Sequence, residues 1–223
     1  MRVYDRQTQA LLGLPGLNLD PSDGDPSISS NGRYIAFISQ RLGGAGYWDV
    51  YVYDRQSGSL LPTPGLNSAG EDRGPSISGD GRYVAFHSSV GLGLPDVYLY
   101  DLQSSSFLPT PGLNSVETDA GPSLTADGRY IAFNSYRDGG VGLRDTYLYD
   151  VNTQSLVDLP GLNSASDDWF PSISRNGRYI AFMSDRPGGK GGEDIYLYDR
   201  QSSSLVPLPG LNSAQDDRIP GLN

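Results

Sequence analysis

Residues 171–184 read PSISRNGRYIAFMS, and nearly the same wording occupies residues 26–39, 75–88 and 122–135. Each copy begins with a proline, and Pro220 continues the series. The steps between successive prolines are 49, 47, 49 and 49 residues. A repeat of this length indicates that one supersecondary unit is used several times, so the structure of the unit decides the fold.

Each unit contains four segments of strand length. PSIS ends at an Asn-Gly or Asp-Gly pair, which suits a two-residue hairpin turn, and RYIAF follows it. A DxYLYD segment and a Leu-rich run into PGLN complete the unit. The two middle segments are almost continuously apolar, which indicates sheets covered on both faces. The pattern therefore predicts an all-β fold, a β-propeller of four-stranded antiparallel blades.

A solenoid is the structural rival of the propeller, but solenoids need distinct capping repeats. The two ends of this chain instead look like parts of one repeat. RYIAF-type segments occur four times, whereas extra copies of the third and fourth segments stand near the N-terminus in RVYDRQ (2–7) and ALLGLPGLN (10–18). The C-terminal DDRIPGLN (216–223) aligns with DDWFPSIS (167–174) and predicts a fifth inner strand.

The prediction is one domain over residues 1–223, a five-bladed propeller closed by pairing of the N- and C-terminal segments in one incomplete blade. The second strand of that blade is missing from the pattern, and nothing in the sequence explains how it is compensated. Four blades with loose overhangs are the alternative. The predicted blades comprise 1–18 with 213–223, 19–67, 68–114, 115–163 and 164–212.

The composition excludes several classes of partner. The net charge is −10, with a single lysine at Lys190, so nucleic acid and anionic membrane surfaces are not expected to bind. There is no cysteine, and no apolar run reaches the roughly 20 residues that a membrane-spanning helix needs. Met1 stands directly before a repeat motif at Tyr4, so no signal peptide is expected within this chain.

The wording PSxSxDGRYIAFxSxR followed by DxYLYD resembles the TolB-type propeller repeat, and the resemblance extends over essentially the whole chain. It implies that PSIS is the innermost strand of each blade. It also implies a periplasmic or extracellular location. The repeat is specific for the fold but not for function, because propellers include binding modules as well as enzymes.

An aspartate stands three residues before each repeat proline. Inner strands surround the propeller axis, so these carboxylates are predicted to ring the mouth of the channel and to hold Ca²⁺ or Mg²⁺, which prefer oxygen ligands. The alternative is that they only cap the turns that enter the strands. The predicted metal ligands are Asp23, Asp72, Asp119, Asp168 and Asp217.

A second aspartate series, Asp49, Asp96, Asp145 and Asp194, opens the third strands. Arg41, Arg137 and Arg186 precede three of these residues, which predicts structural Arg–Asp pairs that organise the Gly-rich loops. Arg33, Arg82, Arg129 and Arg178 occur in every unit and are assigned to the scaffold. The asparagine of each PGLN motif is predicted to bond to the backbone at the crossover between blades.

Residues found in one blade only are the candidates for a working face. The strand order places them on or near one side of the ring, the side of the loops between second and third strands. The predicted ligand-binding face comprises Trp48, Trp169, Glu71, Glu117, Lys190 and Glu193.

These observations predict a non-enzymatic, monomeric binding module or scaffold with a protein partner, and leave open an oligomer formed through the incomplete blade. His87 is the only histidine and is assigned to packing, so no Ser/His/Asp triad is expected. A glycosidase pair built from Glu71 or Glu117 and a ring aspartate is disfavoured because the loops are short. The alternatives are a lectin-like propeller that stacks sugars on Trp48 and Trp169, and a recently amplified or engineered repeat protein without a ligand.

Overall fold

The computed structural model describes residues 1–17, 20, 22–90 and 93–222, and every regular element in these residues is a β-strand. The strands form four four-stranded antiparallel sheets and one two-stranded sheet. The predicted all-β propeller with five blade positions is therefore confirmed. No helix in these residues is long and apolar enough to span a membrane.

The strands of each sheet pair in chain order, from the inner strand outwards. The N-terminal sheet contains β1 (Tyr4–Asp5) and β2 (Ala10–Leu11). Blade 1 contains β3 (Gly24–Ile28), β4 (Tyr34–Ser39), β5 (Asp49–Asp54) and β6 (Ser59–Leu60). Blade 2 contains β7 (Glu71–Ile77), β8 (Tyr83–Ser89), β9 (Asp96–Asp101) and β10 (Ser106–Phe107). Blade 3 contains β11 (Asp119–Leu124), β12 (Tyr130–Ser135), β13 (Asp145–Asp150) and β14 (Ser155–Leu156). Blade 4 contains β15 (Asp168–Ile173), β16 (Tyr179–Ser184), β17 (Asp194–Asp199) and β18 (Ser204–Leu205).

A bulge interrupts each inner strand beside the repeat proline, which has no N–H to contribute to a ladder. The register between β15 and β16 shifts between Trp169 and Ser172. The residue before the proline has a positive φ in all five copies, and in three copies it is not glycine. These residues are Asp25, Gly74, Gly121, Phe170 and Ile219. Ile219 thus has the bulge conformation, which places Pro220 in the inner-strand series.

Neighbouring blades pack face to face through apolar side chains. Phe86 and Tyr100 of blade 2 lie in one buried cluster with Val50 and Leu66 of blade 1. The hydroxyl of Tyr100 donates a hydrogen bond to the carbonyl of Pro64 over 2.9 Å, so the third strand of one blade is tied to the last segment of the previous blade. Equivalent bonds join Tyr53 to Pro15, Tyr149 to Pro111 and Tyr198 to Pro160.

The two chain ends occupy the fifth blade position. The N-terminal segment packs against blade 1 as each blade packs against the next, because Tyr53 bonds to the Pro15 carbonyl over 2.7 Å. At the other end, the N–H of Leu222 donates to Ser172 Oγ over 2.9 Å, as Ile173 donates to Ser123. Residues 213–222 form no regular strand, and no sheet of the described residues joins them to β1 or β2.

We expect deletion of residues 213–223 to destabilise the protein by about 1 to 3 kcal/mol, because it removes the bonds to Ser172 and to Glu193 and uncovers β15. The loss stays modest because Ile219 is 73% exposed and buries little apolar surface. Thermal melting measures it, with a fall in Tm of about 2–10 °C. A truncated chain that melts with the full-length protein would refute the placement of the C-terminal segment.

We expect Tyr149→Phe to cost about 1 kcal/mol, because the hydrogen bond that ties the buried Tyr149 to the Pro111 carbonyl of the previous blade is lost. Tyr4→Phe is the matched control, since Tyr4 is the equivalent residue of the N-terminal sheet and is 55% exposed. The control is expected to change the free energy of unfolding by less than about 0.5 kcal/mol. Urea denaturation of both variants measures the difference, and equal losses would contradict a role for the inter-blade bond.

Candidate functional site

The axial channel is lined by serine and aliphatic side chains. Its volume is about 230 Å³, and serines of the inner strands face it together with Ile28 and Leu124. The serine hydroxyls accept hydrogen bonds from the next inner strand, as from Leu124 N–H to Ser76 Oγ over 2.9 Å. Among the described lining residues Arg175 alone is charged, and it donates to Ser30 Oγ across the ring. The described lining of the channel therefore carries a cationic side chain and no carboxylate.

The first aspartate series caps the turns that enter the inner strands. Asp119 accepts hydrogen bonds from the N–H and hydroxyl of Ser115, over 2.6 and 2.9 Å. Its other oxygen accepts a bond from Arg137 Nη2 over 2.8 Å. The same pattern joins Asp168 to Ser164 and Arg186, whereas Asp23 binds Arg41 and Asp217 binds Ser213.

These contacts do not fit a shared Ca²⁺ or Mg²⁺ site, because each carboxylate is engaged by its own turn or by an arginine. Among the described residues no group of three or more acidic or histidine side chains is arranged to hold a metal ion. The contacts favour the turn-capping alternative. Metal binding by Asp23, Asp72, Asp119, Asp168 and Asp217 stays an untested prediction that the geometry does not favour.

The second aspartate series organises the Gly-rich loops, but without the arginines that the sequence assigned to it. Asp145 accepts bonds from the N–H groups of Val141 and Gly142, over 2.6 and 3.2 Å. Asp49 and Asp194 bind their loops in the same way. Burial raises the pKa of Asp49, Asp96 and Asp145. The predicted pairing was therefore wrong in its partner: Arg41, Arg137 and Arg186 bind the first series instead.

The opposite face of the ring carries the same charge pair in each complete blade. Arg178 donates from Nε and Nη2 to the two oxygens of Asp199, over 3.0 and 2.7 Å. These hydrogen bonds lower the pKa of Asp199. Arg33, Arg82 and Arg129 bind Asp54, Asp101 and Asp150 equivalently. Their assignment to the scaffold agrees with these contacts.

The PGLN asparagines bond to the backbone of the third strand of their own blade. Asn163 accepts from the N–H of Thr146 and donates to its carbonyl, over 3.0 and 2.9 Å. Asn67, Asn114 and Asn212 do the same with Val50, Val97 and Ile195. Asn18 lies outside the described residues.

We call the side that bears the loops between second and third strands the loop face. Each such loop meets the turn that enters the next inner strand, as the N–H of Asp72 donates to the carbonyl of Trp48 over 2.8 Å. Trp48 is half-buried and forms a bridge with Glu71. Arg73 pairs with Glu71 and stacks on the Trp48 ring at 4.7 Å.

The remaining candidate residues are spread over different blade junctions. Trp169 is 8% exposed, and the Arg144 guanidinium covers its ring at 4.6 Å. Glu193 pairs with Arg218, Lys190 has an exposed side chain, and Glu117 is half-buried in the turn before β11. Among the described contacts only Trp48 and Glu71 meet directly. The structure therefore brings these candidates onto one face but not into one cluster.

His87 packs beside the bulge of its own inner strand. Its ring lies against Gly74, and its Nδ1 accepts a long bond of 3.4 Å from the Gly121 N–H. Burial, with Arg73 nearby, lowers the pKa of His87 to about 4. The ring is therefore neutral at pH 7, as its assignment to packing requires.

The sequence analysis missed a set of exposed apolar side chains on the loop face. All except Val116 stand in loops rich in glycine, and for these residues the neighbouring glycines were the available signal. Their exposure ranges from 53% to 102%. They are Leu42, Tyr47, Val90, Leu94, Val116, Val141 and Leu143.

The fold is similar to those of several solved structures. TolB from Acinetobacter baumannii matches with a TM-score of 0.65 at 21% identity, over 92% of this chain and 47% of that chain. A puromycin-hydrolyzing peptidase of Mycobacterium tuberculosis matches with a TM-score of 0.61 at 19% identity, over 95% and 31%. A puromycin hydrolase matches with a TM-score of 0.58 at 13% identity, over 89% and 30%. The chain thus spans about half of the TolB chain and under a third of each hydrolase chain.

The prediction that the chain is not an enzyme is contradicted by these hydrolase structures, because they contain the same fold. The match covers only 31% and 30% of those chains, so such a propeller can be one part of a larger enzyme. The repeat motifs do not show whether a propeller belongs to a larger enzyme. The shared fold assigns no reaction to this chain.

No protein-family model matches the sequence, and the comparison with curated proteins gives no match. The structural similarity agrees with the repeat wording and with the bulged inner strands described above. The chain has the fold of a TolB-like β-propeller repeat protein.

Proposed function

We propose that the chain is a protein-binding β-propeller module and that the loop face carries the binding surface. The observation that supports this is the set of exposed apolar residues on that face, which blades 1, 2 and 3 and the turns between them contribute. Leu42 is fully exposed, and Leu143 is 72% exposed. Exposed apolar side chains that lie together on one side of a protein are typical of surfaces that bind other proteins.

The loops that carry these residues are held in place. Asp49 and Asp145 accept hydrogen bonds from loop N–H groups, and both are buried. Gly46 and Gly142 approach backbone carbonyls of the next turn so closely that a Cβ atom would collide with them. A surface that is ordered before binding loses less conformational entropy when a partner docks.

The opposite face of the ring differs less from blade to blade than the loop face does. It repeats one Arg–Asp pair in four blades, and the charged groups satisfy each other. The net charge of −10 further favours a partner with a basic surface, because opposite charges accelerate encounter and add specificity.

The lectin-like alternative depends on open tryptophan rings. Trp169 is buried, and an arginine covers one face of each tryptophan ring. On that face of either ring, a sugar would have to displace Arg73 or Arg144 before it could stack. The geometry supports a protein partner better than a glycan.

The test compares two double variants as immobilised baits for proteins of the source organism. Leu42→Asp with Leu143→Asp changes the loop face, and Gln103→Asp with Asn152→Asp adds the same charge at exposed turns on the opposite face. We expect the wild type and the control variant to retain a partner protein on the matrix. Calorimetry with that purified partner is then expected to show at least about tenfold weaker binding to the loop-face variant than to the control.

Equal binding of the purified partner to both variants would contradict the proposed surface. Thermal melting of each variant shows whether the fold is intact. A glycan array on the wild type and Trp48→Ala provides the competing outcome, since binding lost in that variant would favour the carbohydrate-binding alternative.

A further inference from the structure

An arginine fills the same slot in three of the four complete blades. In blade 3, Arg137 Nη2 donates to Asp119 and to the carbonyl of Leu113, over 2.8 and 2.6 Å, and Nε donates to Ser135 Oγ. Its guanidinium lies 5.1 and 4.7 Å from the ring centres of Phe133 and Tyr147. Arg186 makes the equivalent contacts in blade 4. In blade 1, Arg41 contacts the equivalent carboxylate, serine hydroxyl and two aromatic rings.

Blade 2 has the slot without the arginine. Val90 stands at the position of Arg41, Arg137 and Arg186 and is 57% exposed. The structure has a cavity of about 140 Å³ at this place. Its walls include the blade 2 counterparts of the residues that contact the guanidinium in the other blades. These counterparts are Leu66, Asp72, Phe86, Ser88 and Tyr98.

The walls keep their geometry although the arginine is missing. Phe86 and Tyr98 have ring centres 6.0 Å apart at an interplanar angle of 30°. The corresponding pair in blade 3 is 5.9 Å apart at 32°. A cavity of about 150 Å³ accepts a benzene ring, so this slot has room for a planar guanidinium group. Phe107, which stands where the other blades have leucine, packs against this pair at 5.6 Å from the Tyr98 ring centre, and the cavity remains open beside it.

Asp72 is a buried carboxylate without a cationic partner in the described residues. Its exposure is 0%, and its hydrogen bonds come from the N–H and the hydroxyl of Ser68. The equivalent Asp119 and Asp168 have an arginine in addition. A buried charge without a counter-charge is costly, so this carboxylate favours a cation that enters the cavity.

We propose that this blade 2 slot binds the guanidinium group of an arginine side chain presented by a protein partner. A guanidinium fits better than an ammonium, because it is planar, stacks on aromatic rings and donates to the carboxylate, the carbonyl and the hydroxyl at once. The slot lies beside Val90 on the loop face, so the inference rests on the proposed function and names one group that the partner contributes.

The first experiment titrates the full chain with N-acetyl-arginine methylamide and follows binding by NMR or calorimetry. N-acetyl-lysine methylamide is the matched probe, and free arginine and an arginine-containing tetrapeptide distinguish a small molecule from a peptide as the source. We expect saturable binding of the arginine amide, at least about tenfold weaker binding of the lysine probe, and the tightest binding for the peptide.

Two variants locate the binding. Val90→Arg places the chain's own guanidinium in the slot, so we expect it to abolish binding of the probe and to raise Tm. Asp72→Asn keeps the shape of the slot but removes the charge, and we expect at least about tenfold weaker binding. Val90→Arg keeps the carboxylate and the aromatic pair of the slot, so it remains informative if Asp72→Asn fails to fold.

Absence of saturable binding to the wild type, or equal binding to Val90→Arg, would overturn the inference. Equal affinity for the arginine and lysine probes would overturn it as well, and tighter binding of free arginine than of the peptide would overturn the assignment to a protein partner. A purified partner that binds Val90→Arg normally but not the loop-face variant would refute the slot and leave the proposed function in place.

Discussion

The ring depends on one hydrogen bond that recurs between neighbouring inner strands. The backbone N–H two residues after the repeat proline donates to the serine hydroxyl of the previous blade, from Ile77 to Ser27 and on to Leu222 and Ser172. No continuous ladder joins separate sheets in the described residues. This bond therefore helps to fix the height of each blade relative to the next, together with backbone bonds such as that from the Gly79 N–H to the Ala126 carbonyl. The tyrosine-to-proline bond, such as Tyr149 to Pro111, fixes the outer part of the blade. Two contacts at different radii restrict tilting, and adjacent loops therefore meet at one height.

The sequence predicts this framework because spacing alone determines it. The step from Pro171 to Pro220 placed the last residues in the inner-strand series, and both the φ angle of Ile219 and the bond of Leu222 agree with that register. The bulges were less predictable, because Phe170 and Ile219 have a backbone conformation that usually favours glycine. Only tertiary packing overrides that local preference, and a single sequence does not show it.

Side-chain partners were harder to predict than strands. Arg137 is closer in sequence to Asp145 than to Asp119, yet Ser135 pairs with Asp119 across β11 and β12 and brings the arginine to that carboxylate. Asp145 then satisfies N–H groups of the loop. Residues repeated in all blades also say little about reactions, which is why the fold could not exclude an enzyme whose catalytic residues lie outside the propeller.

The informative position in a nearly symmetric ring is one that changes while the groups it would contact are kept. In blade 2 the carboxylate, the serine and the aromatic pair are kept, although Phe107 stands where the other blades have leucine. A blade that lost an arginine without consequence would be expected to lose its buried carboxylate too, since an unpaired charge destabilises the folded state. Blade 2 instead keeps Asp72 with the stacked pair of Phe86 and Tyr98, and leaves an opening beside an exposed Val90. Blades 1, 3 and 4 thus show an arginine of the chain paired with the carboxylate of the slot. In blade 2 we expect the guanidinium to come from a partner.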